Sequence, residues 1–255
     1  MSQPRPASQP DIRPPDGPWT AAALARVGLT FGAIVLVETG VCGVSAMLPA
    51  LLLVTLADAV TSPGLRVASL AIAAAPAYVL FALCLMAVSA ATTRLTGART
   101  PPDAAMRIAD MDWRVLQWAR YMAATHVVRV FAGALFRGTP NWTLYLRMNG
   151  ARLGRRVFVN SLFVSDHNLL TFGNDVVIGE GVHLSGHTVE RGFVKTGGVT
   201  LGDGVTIGLS SVVEIDVEVG PRAQVGALSF VPKHARLEGG QTYVGAPVKA
   251  LTRRA

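Results

Sequence analysis

Cysteine is almost missing from this 255-residue chain: only Cys42 and Cys84 occur, both inside apolar stretches and without metal-ligand spacing. That excludes a disulfide framework and a cysteine metal site, and leaves both thiols as packing residues. Charge is scarce too, and although the formal net charge is +7, the basic residues form no dense run and no aromatic-studded basic strand. Nucleic acid is therefore not an expected partner. A glycine-rich phosphate loop is also lacking. Residues 1–18 have almost no apolar side chains, so this stretch is expected to be a disordered tail. It has no charged start, apolar core and small-residue cleavage site of a signal peptide, so the expectation is that the tail is kept.

What the chain does have is apolar length. Residues 27–57 contain one charged side chain, Glu38, and residues 67–91 contain none. At about 1.5 Å per residue, each exceeds the roughly 30 Å of a bilayer's hydrocarbon core. Two transmembrane helices are expected within residues 19–100, with Pro76 tolerated as prolines are in membrane helices. Only Arg66 lies in the connection between them, whereas Arg13 and Arg26 precede the first helix and Arg94, Arg99 and Arg107 follow the second. That asymmetry predicts both termini, and whatever follows the helices, on the cytoplasmic side. Glu38 is expected near an interface, or protonated or partnered in a role in substrate passage. Residues 101–150 form a connector: over 103–137, Trp113, Trp118, Tyr121 and Phe131 alternate with Arg114, Arg120 and Arg129, which suits an amphipathic helix at a membrane surface or against the next domain.

From residue 153 the period becomes six. FGNDVV, IGEGVH and LSGHTV are followed, after a break, by LGDGVT, IGLSSV, VEIDVE, VGPRAQ and VGALSF. Phe172, Ile178, Leu184, Leu201, Ile207, Val213, Val219 and Val225 lead these units, and glycine follows many of them. One unit fits a short strand and a turn, and three fit one coil, so coils stacked at about 4.8 Å satisfy each other's backbone groups. A repeat domain is expected over 151–255.

These residues resemble the hexapeptide-repeat acyltransferase superfamily, and YVGAPVKAL at 243–251 looks like its closing segment. The segment 145–195 is similar to the membrane-embedded C-terminal domains of poly-lysine-synthetase-like non-ribosomal peptide synthetases. The resemblance implies a membrane-anchored α plus all-β protein, with two transmembrane helices followed by a left-handed parallel β-helix. It implies a homotrimer with clefts between subunits, and acyl or aminoacyl transfer from a thioester of coenzyme A or of a carrier's phosphopantetheine, which is a substrate and not a tightly bound cofactor. A carrier protein or peptide synthetase acting in trans is the implied partner.

The break between Leu184 and Leu201 requires a loop to leave the coil, and loops on rigid scaffolds carry function. It holds His187, Glu190 and Lys195. In the resembling family these positions make His187 the general base, a task suited to a neutral imidazole near pH 7. Glu190 is expected to orient it. Asp166 is expected to bind the acceptor or to cap a turn, and Lys195 to contact a phosphate of the donor or to be a solvated surface lysine. Two other functions remain open. A zinc enzyme like the gamma-class carbonic anhydrases would use His167, His183 and His187, although their spacing lacks that pattern. A non-catalytic trimeric scaffold holding a synthetase or transporter would need neither His187 nor Glu190.

Overall fold

The structure is a computed structural model that describes residues 20–251, so the tail expected over residues 1–18 lies outside it. Helix α1, Ala21–Ala59, starts where the Thr20 side chain accepts a hydrogen bond from the Ala23 amide. Helix α2, Pro63–Leu95, begins at a proline whose missing N–H costs nothing in the first helical turn. The two form an antiparallel hairpin. Ala82, Leu85, Met86, Ser89, Ala90 and Thr93 line a single buried stripe of α2 at helical spacing. The other faces stay bare, with Leu36 75% and Ile72 78% exposed. Both helices are long and apolar enough to cross a membrane, and only 17% of each apolar window is buried within the chain.

The connector departs from the expected helix in its first part. Ala105–Arg107 is a strand, a short 3-10 turn follows, and helix α3 runs Trp113–Val128 from its Asp112 cap. α3 continues into a π-helical stretch, Arg129–Gly133, where Tyr78 of α2 donates to the Phe131 carbonyl at 2.5 Å. A short helix, Pro140–Met148, then closes the first end of the coil. Its Trp142 indole donates to the Ser161 carbonyl, and the Thr143 hydroxyl to that of Val157.

The coil has three sheets of short parallel strands. One stacks Arg152–Leu153, Leu170–Phe172, Val199–Leu201, Val217–Val219 and Arg236–Leu237. The second runs from Phe158–Val159 to Thr242–Val244, and the third comprises His183–Leu184, Val212–Val213 and Phe230–Val231. Leu201 lies beside Val219 and Val219 beside Leu237, a spacing of eighteen residues, or three units of six. All eight leading residues point inward, none more than 2% exposed. Behind them the backbones nearly touch: a Cβ added at Gly208 would lie 2.5 Å from the Ala227 nitrogen. Lys249–Ala250 finally folds back antiparallel on Thr242–Val244.

The register slips twice, and both slips matter. From Phe172 to Leu201 it takes twenty-nine residues to climb one coil, eleven more than a turn requires. These leave the coil as a hairpin, His187–Glu190 paired antiparallel with Phe193–Thr196, and Ala105–Arg107 adds a third strand. From Leu153 to Phe172 there is one residue too many, absorbed at Asp166 and the 3-10 turn His167–Leu169.

Candidate active site

The two slips meet. Asp166 adopts a left-handed conformation, φ 54°, which turns the chain out of the coil. Its side chain is fully buried. One carboxylate oxygen accepts from the Thr100 hydroxyl at 2.6 Å, and the other from Ser165 at 3.0 Å and from the His187 Nδ1 at 2.5 Å. Ser185 lies between them, 3.0 Å from the same imidazole nitrogen. Gly186 makes this approach feasible, because a Cβ there would stand 2.8 Å from that of Asp166. Burial pushes the Asp166 carboxyl upward, but the bonds from His187, Thr100 and Ser165 and the adjacent imidazole prevail and hold it below the ordinary carboxylate range.

An ionised Asp166 can only accept, so the His187 Nδ1 carries the hydrogen between them and the neutral ring keeps its lone pair on Nε2. His187 lines a cleft of about 170 Å³ with His183, Ser185, Thr188, Val212 and Glu214. On its other side the Trp118 ring of α3 stands against it, centroids 5.1 Å apart and planes inclined at 68°. Thr100 and Trp118 come from the helical part of the chain. Neither was singled out for this site in the sequence, since helical periodicity does not tell which residue of α3 crosses over a strand seventy positions later.

The structure also places the other candidate residues. Glu190 does not orient His187: its carboxylate pairs with Lys195 at 2.7 Å and with Lys233, and these bonds, Lys195 first, bring it down to about 2. Lys195 is accordingly engaged within the hairpin's anchorage. Asp166 makes the turn, and its side chain is buried. The three histidines of the zinc alternative do not converge. His167 is buried between the edges of Tyr121 and Tyr145, with Nε2 on the Val164 carbonyl at 3.1 Å, while His183 stacks on Phe163. Among the described residues no group of three metal-ligating side chains is close enough to hold an ion. Glu38 lines a small cavity with Arg120, Thr92, Thr93 and Thr96, and one of its oxygens is buried without a hydrogen-bond partner.

No protein-family profile matches the chain. Over 136 residues it is 26% identical to Delta-poly-L-ornithine synthetase of Acinetobacter baumannii, covering 53% of this chain and 10% of that one. Over 91 residues it is 35% identical to Protein YrdA of Escherichia coli, covering 36% of this chain and 43% of the other. The chain thus spans about a tenth and under half of these two relatives. Among solved structures, a serine O-acetyltransferase from Brucella melitensis superposes with a TM-score of 0.40 at 15% identity, covering 68% of this chain and 55% of the other. A hexapeptide-repeat acetyltransferase of Vibrio cholerae, complexed with acetyl coenzyme A, superposes with a TM-score of 0.37 at 23% identity, covering 40% and 60%.

Proposed function

We propose that the protein is a membrane-anchored acyltransferase that moves an acyl or aminoacyl group from a thioester to a hydroxyl or amine, with His187 as general base. The observation that carries this is the His187–Asp166 pair at the wall of an open cleft. Asp166 is a positioning residue: it fixes the tautomer and stabilises the imidazolium, as the carboxylate of a Ser-His-Asp triad does. In the reaction, Nε2 takes the proton as the acceptor oxygen or nitrogen bonds to the thioester carbonyl carbon. The tetrahedral intermediate then expels the thiolate, breaking the C–S bond, and the imidazolium returns the proton to sulfur. The donor is a substrate, acyl coenzyme A or a phosphopantetheine thioester. The similarity to a protein named for making poly-L-ornithine favours an amine acceptor and a partner synthetase or carrier protein in trans.

The bare apolar faces of α1 and α2 support insertion in a membrane, with the coil on the cytoplasmic side by the arginine asymmetry. A left-handed coil and a homotrimer belong to the same proposal. Thioester consumption by detergent-purified protein tests it, with acetyl coenzyme A and an aminoacylated carrier protein offered against a panel of amines and alcohols. Replacing His187 by Ala should lower turnover by about 10²- to 10⁴-fold, the usual worth of a general base, without unfolding the protein. If wild type and His187→Ala consume thioester equally, the base is misassigned. If a folded trimer consumes neither donor, the scaffold function takes precedence.

A further inference from the structure

A third cavity, about 310 Å³, lies between α3 and the first coils, apart from the cleft that His187 lines. Its walls are apolar, formed by Met122, Ala123, Leu162 and Val164, and that volume is at the lower end of small-molecule pockets, about 300 to 1,000 Å³. Thr125, His126, Ser165, Arg129 and His167 interrupt the apolar lining, and the last two bear on what could bind. Arg129 lines the cavity, its guanidinium lies 2.6 Å from the Nδ1 of His126, and no carboxylate is in ion-pairing distance of it among the described residues. His167, 2% exposed, also lines it, and its Nδ1 has no hydrogen-bond partner.

The chemistry of His167 can be assigned from its neighbours. Val164 offers a carbonyl, which only accepts, so Nε2 carries the hydrogen and Nδ1 keeps a lone pair. Burial brings the imidazole down to about 4, so it is neutral at physiological pH. A buried acceptor without a donor is unfavourable, and an N–H or O–H of an occupant would relieve it.

We infer that this cavity binds a small organic anion, its charge against Arg129, an apolar body along Met122 and Leu162, and a neutral hydrogen-bond donor at His167. Its position relates it to the transfer site. Met122 follows Trp118 by one turn on the same face of α3, and Trp118 stands against His187. On the wall between, Ser165 lines the cavity and bonds to Asp166. If the transfer function holds, this is the subsite for the acceptor's non-reacting end; the binding itself does not depend on that function.

The test uses the full chain in nanodiscs and calorimetric titration with N-hexanoylglycine, which combines a carboxylate, an amide N–H and an alkyl chain. Hexanoylglycinamide lacks the charge and octanoate lacks the donor, and each should bind at least about tenfold more weakly, the size of one charge-assisted or one buried hydrogen bond. Arg129→Gln should bring the acid down to the affinity of the amide, and Leu162→Trp, which fills the cavity, should abolish both. His187→Ala should leave binding unchanged, which separates this site from the transfer function. Absence of N-hexanoylglycine binding to folded wild type, or equal affinity for acid and amide, overturns the inference.

Discussion

At the scale of single residues, the proposed chemistry depends on which nitrogen of His187 holds its hydrogen. Asp166→Asn keeps the size but can offer an N–H to Nδ1, which places the ring hydrogen on Nε2 and removes the base. Turnover should fall by about 10²- to 10⁴-fold with KM little changed, comparable to other carboxylate-to-amide changes behind a histidine. Steady-state kinetics on the two proteins decides it. His167 makes a prediction about stability. Its folded value of about 4 is depressed from 6.5, so the unfolded chain takes up a proton first as pH falls. The stabilisation is complete above pH 6.5 and is lost between 6.5 and 4, on the order of 3 kcal/mol for a shift of this size. Thermal unfolding across that range should show the loss in wild type and a smaller one in His167→Gln. Asp166 and His187 were visible in the sequence as individual candidates but not as partners. Eighteen residues make one coil, so positions twenty-one apart become neighbours only when an extra residue and a left-handed turn intervene.

At the scale of elements, the hairpin is held by its ends. Glu190 joins Lys195 of its own hairpin to Lys233 of the coil, so the clamp spans two elements. Because the Glu190 carboxyl is brought down to about 2, the clamp is intact above about pH 4.5 and weakens as pH falls toward 2. Glu190→Gln at neutral pH should quicken amide exchange across His187–Thr196 while the coil strands keep their protection; equal protection in both proteins would rule the clamp out. In the coil, Gly208→Ala forces a methyl against the Ala227 backbone and should destabilise by about 1–3 kcal/mol, as overpacking does, measured by denaturant unfolding. The repeat was legible because each leading residue has one inward position per strand and period six is unlike helix or alternating strand. The hairpin was not, since four-residue strands that leave the coil have no repeat to reveal them, and Ala105–Arg107 pairs with residues about ninety positions away.

At the scale of the whole molecule, the segment that links α2 to the coil is part of one assembly with it around the site, since Thr100 and Trp118 meet the pair formed by Asp166 and His187. Membrane insertion predicts a specific topology. With Cys42 and Cys84 replaced by Ser, a Ser62→Cys probe should react with an impermeant thiol reagent from the extracytoplasmic side, and a Thr96→Cys probe only after the membrane is opened. Reaction of both from one side would remove the two-span arrangement.

The sequence by itself determined the elements whose stability is local or periodic: two long apolar helices, since their faces need no partner to be recognised, and a six-residue coil, since every unit states its own inward residue. It also determined the interruption between Leu184 and Leu201, in which His187 lies, but not the extra residue taken up at Asp166. Only the tertiary structure decided which carboxylate serves His187. Glu190 is nearer along the chain, but it pairs with two lysines, while the stacking of coils brings the Asp166 carboxylate to the Nδ1 of His187. Contacts between stacked coils depend on register, and register depends on how many residues each turn absorbs, which side-chain pattern alone does not state.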